Sequence, residues 1–231
     1  MPTAGHITVV GIGADGWTGL TDAARDIVQA ADTVIGAPRQ LDLLPQIDGQ
    51  RRLRWPAPLH AGLPALFEEL TGPRVVALAS GDPLLSGIGT TLIRLLGAER
   101  VTVLPAVSSV TLARARLGWP AESAAVIRAA DVHGVLRELA PGRRVLVLSS
   151  DESTPGQLAA LLADRGYGAS RMTVLGDLGG ADESRADATA ATYAGAAPRL
   201  NIVALELAGP LLTGWAPGLP DDAYEIGRAH V

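Results

Sequence analysis

"VVALASGDPLLSGIG", Val75 to Gly89, is a run of apolar residues that halts at Ser80-Gly81-Asp82-Pro83 and resumes with a helical pattern. The β-branched and small apolar residues before Ser80 read as a buried strand. Asp82 as an N-cap and Pro83 at the first helical position would start the helix "LSGIGTTLIRLLG" that follows. They do not account for the excess of small residues, namely Ser80, Gly81, Ser86, Gly87 and Gly89. Those residues strip side chains from a loop at a strand end, leaving backbone N–H groups bare for a carboxylate or a small polar molecule. The loop has no Lys or Arg, so a weakly anionic zwitterion fits it better than a polyphosphate.

Two further strand ends carry loops of the same kind. "HITVVGIG" (His6 to Gly13) is a β-branched run ending in glycines, and "PAVSSVTLA" (Pro105 to Ala113) follows the strand "RVTVLP". One of Ser108 and Ser109 N-caps the next helix, which frees the other hydroxyl to face a ligand. "GIGADG" matches the dinucleotide fingerprint literally, but Trp17 to Leu20 intervene before the helix, and Asp32 precedes the second strand instead of ending it. A wide loop built from Gly11, Gly13, Ala14 and Asp15 leaves room for something bulky above it. Asp15 is either a ligand-facing carboxylate or a turn residue.

Strands and helices alternate through the first half: "TDAARDIVQAAD", "TVIG", "RQLDLLP", "LPALFEEL". From about Trp119 the pattern restarts with strand "SAAVIR", helix "DVHGVLREL", strand "RRVLVLSS", helix "TPGQLAALLADRG" and strands "SRMTVLGDL" and "NIVALEL"; "SRADATAATYA" reads either way. The alternation predicts an α/β protein of two domains with mainly parallel or mixed sheets, 1–118 and 119–209. Residues 210–231 read as a loop-like tail. Its closing "IGRAHV" continues no pattern, and the natural chain is expected to run on beyond about Glu225.

Composition removes whole classes of chemistry. The 231 residues include no Cys, and all 19 cationic side chains are Arg. Thiol catalysis, Cys-based metal sites, Schiff-base lysines and P-loop lysines are therefore excluded. His6, His60, His133 and His230 stand alone, so no metal site is expected. A net charge of −5 argues against nucleic acid. No apolar run has the length of a membrane span, and a cytoplasmic protein is expected.

"VGIGADGWTGLT", "VVALASGDPLLSGIGTTL", "VTVLPAVSSVTLARARLGWP" and "NIVALEL", in this order, resemble the tetrapyrrole methylases, from about Ile7 to Leu207. "GWTGLTDAAR", "RRLRWPAPL" and "SGDPLLSGIG" resemble the cobalamin-pathway branch that methylates precorrin-6Y at C5. In many organisms that unit is fused to a C-terminal domain that methylates C15 and decarboxylates. The resemblance implies an S-adenosylmethionine-dependent C-methyltransferase and a homodimer, with at most one methyl transferred per tetrapyrrole. It also implies cofactor binding by Ser80, Gly81, Asp82, Leu85, Gly87, Ser108, Ser109, Ile202 and Ala204. The macrocycle would meet Gly11, Gly13, Arg39 and Arg128, with Asp15 the catalytic carboxylate and Arg114 and Arg116 further salt-bridge candidates. Family members carry an "HGR"-like motif after the first strand of the second domain. This chain reads "VIRAAD" (Val126 to Asp131), with Arg128 as the available basic group. Two alternatives remain: the same fold acting on another precorrin position or on an RNA or protein target, or a cofactor-binding partner domain of a longer bifunctional enzyme.

Overall fold

The computed structural model describes residues 6–211 apart from Thr71 and Ala130, so nearly all of the predicted tail lies outside the described residues. Within them the chain forms two compact units. The first runs to Leu112 and includes Asp177–Glu183; the second comprises Ala113–Gly176 and the residues from Ser184 onward.

In the first unit the elements follow one another as β1 (Ile7–Ile12), α1 (Asp22–Ala30), β2 (Thr33–Gly36), α2 (Pro38–Asp42), β3 (Arg51–Arg54), α3 (Leu59–Glu68), β4 (Val75–Ser80), α4 (Ile88–Leu96) and β5 (Val101–Leu104). The helix α5 (Ser109–Leu117) begins here and ends in the second unit. The strands form a five-stranded sheet of order β3-β2-β4-β1-β5, with every pairing parallel. A parallel sheet needs cover on both faces, which explains why its inner strands read as unbroken apolar runs. Residues alternate between the faces. Val10, Ile12, Val34, Val76 and Leu78 pack against α1 and α2, while Ile7, Val9, Ile35, Val75 and Ala77 pack against α3 and α4. Each fully buried Leu in these layers, such as Leu78, contributes about 2 kcal/mol relative to exposure. Thr21 caps α1 by accepting the Ala24 N–H at 3.3 Å, as "TDAA" suggests.

The second unit holds β6 (Ala125–Arg128), β7 (Arg144–Leu148), α6 (Thr154–Asp164), β8 (Arg171–Gly176), β9 (Ser184–Thr189) and β10 (Asn201–Glu206). Its sheet has the order β6-β7-β10-β8-β9. Only β6–β7 is parallel; β7–β10, β10–β8 and β8–β9 are antiparallel. The ambiguous "SRADATAATYA" thus opens as an edge strand, and "DVHGVLREL" folds as a 3-10 turn over Val132–Glu138 instead of an α-helix. Leu158, Ala159 and Leu162 of α6 bury against Val145, Val147, Val203 and Leu205 of the sheet.

"RRLRWPAPL", quoted above without an assigned element, supplies the edge strand β3. The predicted helix after Pro83 starts later than expected. Its N-cap is Gly87, and Ser86 turns the chain with a φ of 56°.

Candidate functional site

In an open parallel sheet the carboxyl ends of the strands are where ligands bind. In the first unit β4, β1 and β5 all end there, and their loops touch through backbone. The Gly81 N–H donates to the Ile12 carbonyl at 3.0 Å, and the Gly81 carbonyl accepts the Ala106 N–H at 3.2 Å. A Cβ on Gly11 would overlap the Gly81 oxygen and lie 2.5 Å from the Ala106 nitrogen. A Cβ on Gly81, whose φ is +55°, would lie 3.0 Å from the Ser108 Cα. Gly11 and Gly81 are therefore glycines because three loops approach one another there. The Gly81 amide, expected to be bare, is spent in this stitching.

The bare amides lie further along the same loop. Asp82 does not cap a helix; its Oδ1 accepts the Leu84 N–H at 2.8 Å, and its carbonyl accepts the Leu85 N–H at 3.1 Å. The Gly89 N–H donates to the Pro83 carbonyl at 3.1 Å, and a Cβ on Gly87 or Gly89 would collide with that same oxygen. The amides of Asp82, Ser86 and Gly87 donate to no described residue. They lie in one tight turn, and unpaired backbone N–H groups of this kind can bind a carboxylate or another polar group.

Side chains around this turn divide into held and free. Gln40, 8 % exposed on α2, donates to the Ser80 hydroxyl at 3.1 Å. Its Oε1 accepts the Ala37 N–H at 2.9 Å. Gln40 was not legible in the sequence, because nothing in "APRQLD" marks which polar residue turns inward. Ser108 is the α5 cap, accepting the Thr111 N–H at 3.1 Å. Ser109, exposed at the next position, keeps a hydroxyl free of described partners. The Asp15 carboxylate lies over Gly13 and Gly19, where a Cβ on either would overlap it. Only the Asp15 backbone carbonyl is bonded, by the Thr18 hydroxyl at 2.8 Å. Arg39 on α2 is exposed, with no described ion pair. Segment Asp177–Glu183 adds a contributor absent from the sequence reading: a Cβ on its Gly180 would sit 3.1 Å from the Ala14 Cβ, beside the β1 loop.

Gly11, Gly13, Asp15, Arg39, Ser80 to Gly87, Ser108 and Ser109 thus share one edge of the first unit. Arg128, Ile202 and Ala204 belong to the second. Arg128 is exposed at the end of β6, next to the turn in which Asp131 accepts the His133 backbone N–H at 2.9 Å and its Nδ1 at 2.6 Å. Those two bonds hold the Asp131 carboxyl below its ordinary range. Ile202 and Ala204 are 1 % and 2 % exposed, paired on both sides by β7 and β8. Of the other arginine candidates, Arg114 has a buried Nε with no hydrogen-bond partner. Among the described residues no three His, Cys, Asp or Glu gather as a metal site. No described helix is long and apolar enough to cross a membrane.

Comparison with known proteins bears on what such an edge holds. The family model of the tetrapyrrole (corrin/porphyrin) methylases matches residues 6–194. The chain is 44% identical over 224 residues to the precorrin-6Y C(5,15)-methyltransferase [decarboxylating] of Mycobacterium tuberculosis. That match covers 94% of the chain and 55% of the relative, so the chain spans about half the relative's length. It is 33% identical over 183 residues to the cobalt-precorrin-7 C(5)-methyltransferase of Salmonella typhimurium, covering 74% of the chain and 84% of the relative. Its fold matches the uroporphyrin-III C-methyl transferase of Thermus thermophilus, solved in complex with S-adenosylhomocysteine. The TM-score there is 0.66 at 22% identity, over 87% of this chain and 97% of that one.

Proposed function

The chain belongs to the tetrapyrrole methylase family, and on that premise we propose that it is the S-adenosylmethionine-dependent C-methyltransferase of cobalamin biosynthesis that methylates precorrin-6Y at C5. The observation that carries this reading is the turn from Ser80 to Gly89. Its amides at Asp82, Ser86 and Gly87 donate to no described acceptor, and its glycines let the backbone fold too tightly on itself for a Cβ to fit. The S-adenosylhomocysteine-bound Thermus fold-mate and the C5 enzyme of Salmonella, matched over most of its length, support cofactor and position respectively.

When bound, S-adenosylmethionine supplies an already activated methyl on a sulfonium. The residues of the chain then have three tasks. The Ser80–Gly89 turn, with the free Ser109 hydroxyl, would hold the methionine carboxylate by N–H and O–H donation. Gln40 fixes Ser80 and so the turn's entry. Transfer to an enamine-like carbon leaves positive charge on the macrocycle, and the unpartnered Asp15 carboxylate would offset that charge from the neighbouring loop. Positioning in a dry site supplies the remainder. Leu85, Gly87, Ser108, Ile202 and Ala204 as cofactor contacts, and Gly11, Gly13, Arg39 and Arg128 as substrate contacts, belong to the same proposal. So do residues 1–118 and 119–209 as its two domains, a cytoplasmic homodimer, and a C15-methylating, decarboxylating domain as partner.

Incubation with methyl-labelled cofactor and precorrin-6Y tests this directly. One added methyl, located at C5 by carbon NMR of the product, is expected. A label at another carbon would move the chain to a different precorrin step. Binding of S-adenosylhomocysteine without any transfer would favour the partner-domain alternative.

A further inference from the structure

The edge strand β3 is the motif that the methyl-transfer reading leaves unused. Its residues Arg51-Arg52-Leu53-Arg54 put three guanidiniums on four positions. Two of them are accounted for within the unit. Arg51 donates to the Glu69 carbonyl at 2.7 Å and lies 3.4 Å from its carboxylate. Arg52 donates to the carbonyls of Leu41, at 3.1 Å, and Pro45, which fastens β3 to α2 and the segment after it. Arg54 is exposed and has no described partner.

The register places Arg54 beside the site. Arg54 pairs with Gly36, the last residue of β2, and the next residue's amide, that of Trp55, donates to the Gly36 carbonyl at 3.1 Å. Arg39 follows Gly36 by three residues, and it too lacks a described partner. Its neighbour Gln40 bonds to Ser80, the entry of the cofactor turn. Arg54 and Arg39 therefore occupy the carboxyl edge of the same sheet, outboard of the Ser80 loop on the β3 side. β3 is two strand positions from β4, about 10 Å at the usual inter-strand spacing. That is comparable to the reach from the centre of a tetrapyrrole ring to the ends of its acetate and propionate arms. The local charge also runs against the whole. In a chain of net charge −5, the stretch from Gly36 to His60 carries Arg39, Arg51, Arg52 and Arg54 against Asp42 and Asp48.

We propose that Arg54, together with Arg39, forms an anchoring site for the carboxylate arms of the tetrapyrrole, so that the outer edge of the sheet sets how the ring lies over the cofactor turn. This rests on the methyltransferase reading of the same edge. Guanidinium suits the role because its planar fork donates two parallel N–H bonds to one carboxylate. The competing role for a charged edge strand is to block pairing with other chains. That role needs charge alone and no particular partner.

The test uses uroporphyrin, an octacarboxylate tetrapyrrole, as a binding probe read by its fluorescence. Calorimetry with S-adenosylhomocysteine is run on the same samples. R54A and R39A should each weaken uroporphyrin binding about tenfold, the loss expected for one charge-assisted contact. The double variant should weaken it further, and R54K should recover part of the loss. R94A, on the last turn of α4 at the other end of the sheet, should bind like the wild type. S-adenosylhomocysteine affinity and the thermal midpoint should stay at wild-type values throughout, and the R54A deficit in methyl transfer should appear in KM, with kcat kept. Unchanged uroporphyrin binding in R54A and R39A would overturn the proposal. So would a loss as large in R94A, or one accompanied by loss of S-adenosylhomocysteine binding. A wild-type chain that binds uroporphyrin through Arg54 yet neither binds S-adenosylhomocysteine nor transfers a methyl would sink the methyltransferase assignment while the anchoring site stood.

Discussion

The two ends of the first sheet are built from the same strands and treat polar groups in opposite ways. At the amino end Asp32 and Arg74, just before β2 and β4, satisfy each other. The Arg74 Nη2 lies 2.7 Å from Asp32 Oδ1, while its Nε and backbone N–H reach Oδ2 at 3.3 and 3.1 Å. Nearby, the Gln50 side-chain amide caps the end of α1 through the Val28 carbonyl at 2.7 Å. At the carboxyl end the Asp15 carboxylate, the Ser109 hydroxyl, the guanidiniums of Arg39 and Arg54, and three backbone amides have no described partner. The Asp32–Arg74 pair is closed within the unit, although the Gln50 Oε1 beside it is buried without a partner; the larger set of open polar groups lies at the carboxyl end, where ligands bind in open parallel sheets.

That contrast can be broken by substitution. The largest effect is expected at Gly11, where backbone meets backbone. Gly11→Val should destabilise the chain by at least about 3 kcal/mol, because no rotamer relieves a clash with a carbonyl; the thermal midpoint reads it. Gly81→Arg is expected to lose stability as well, given the φ of +55° at Gly81 and its close approach to Ser108. Next comes Asp15→Asn, which should cost about 100-fold in kcat if the carboxylate faces developing charge. Thermal midpoint and S-adenosylhomocysteine affinity should be kept; loss of both would make Asp15 a turn residue only. Gln40→Leu leaves the Ala37 N–H and the Ser80 hydroxyl without partners, a cost of about 1–2 kcal/mol, and should weaken cofactor binding in parallel. The smallest effect belongs to the closed end. The Arg74 side chain holds the Asp32 carboxyl below its ordinary value of 3.8, chiefly by hydrogen bonding. A lowered folded-state value means the stabilisation is complete above 3.8 and fades as pH falls through the folded value. Asp32→Asn should therefore flatten the acid limb of the stability curve and leave methyl transfer untouched.

Much of the carboxyl end was legible because strands buried on both faces announce themselves as apolar runs, and loops that admit a ligand announce themselves by missing side chains. The errors cluster where local chemistry permits two outcomes. Asp82-Pro83 is an equally good helix start and turn, and the positive φ of Ser86 decided for the turn. β3 was not legible as a strand because three arginines in four residues carry no apolar alternation. Its pairing with β2 and the burial of Leu53 against α3 supply what its own sequence lacks. Gln40 lay beyond reach for a related reason, since the partner that draws it inward, Ser80, is 40 residues away.

The most direct test of the cofactor edge follows backbone amide signals by two-dimensional NMR while S-adenosylhomocysteine is added to the folded chain. The largest shifts are expected at Asp82, Ser86 and Gly87, with Ser109 next and Asp32 and Arg74 unmoved. Binding that left the Ser80–Gly89 amides in place, or that moved the Asp32 end of the sheet instead, would contradict the assignment of the cofactor to this edge.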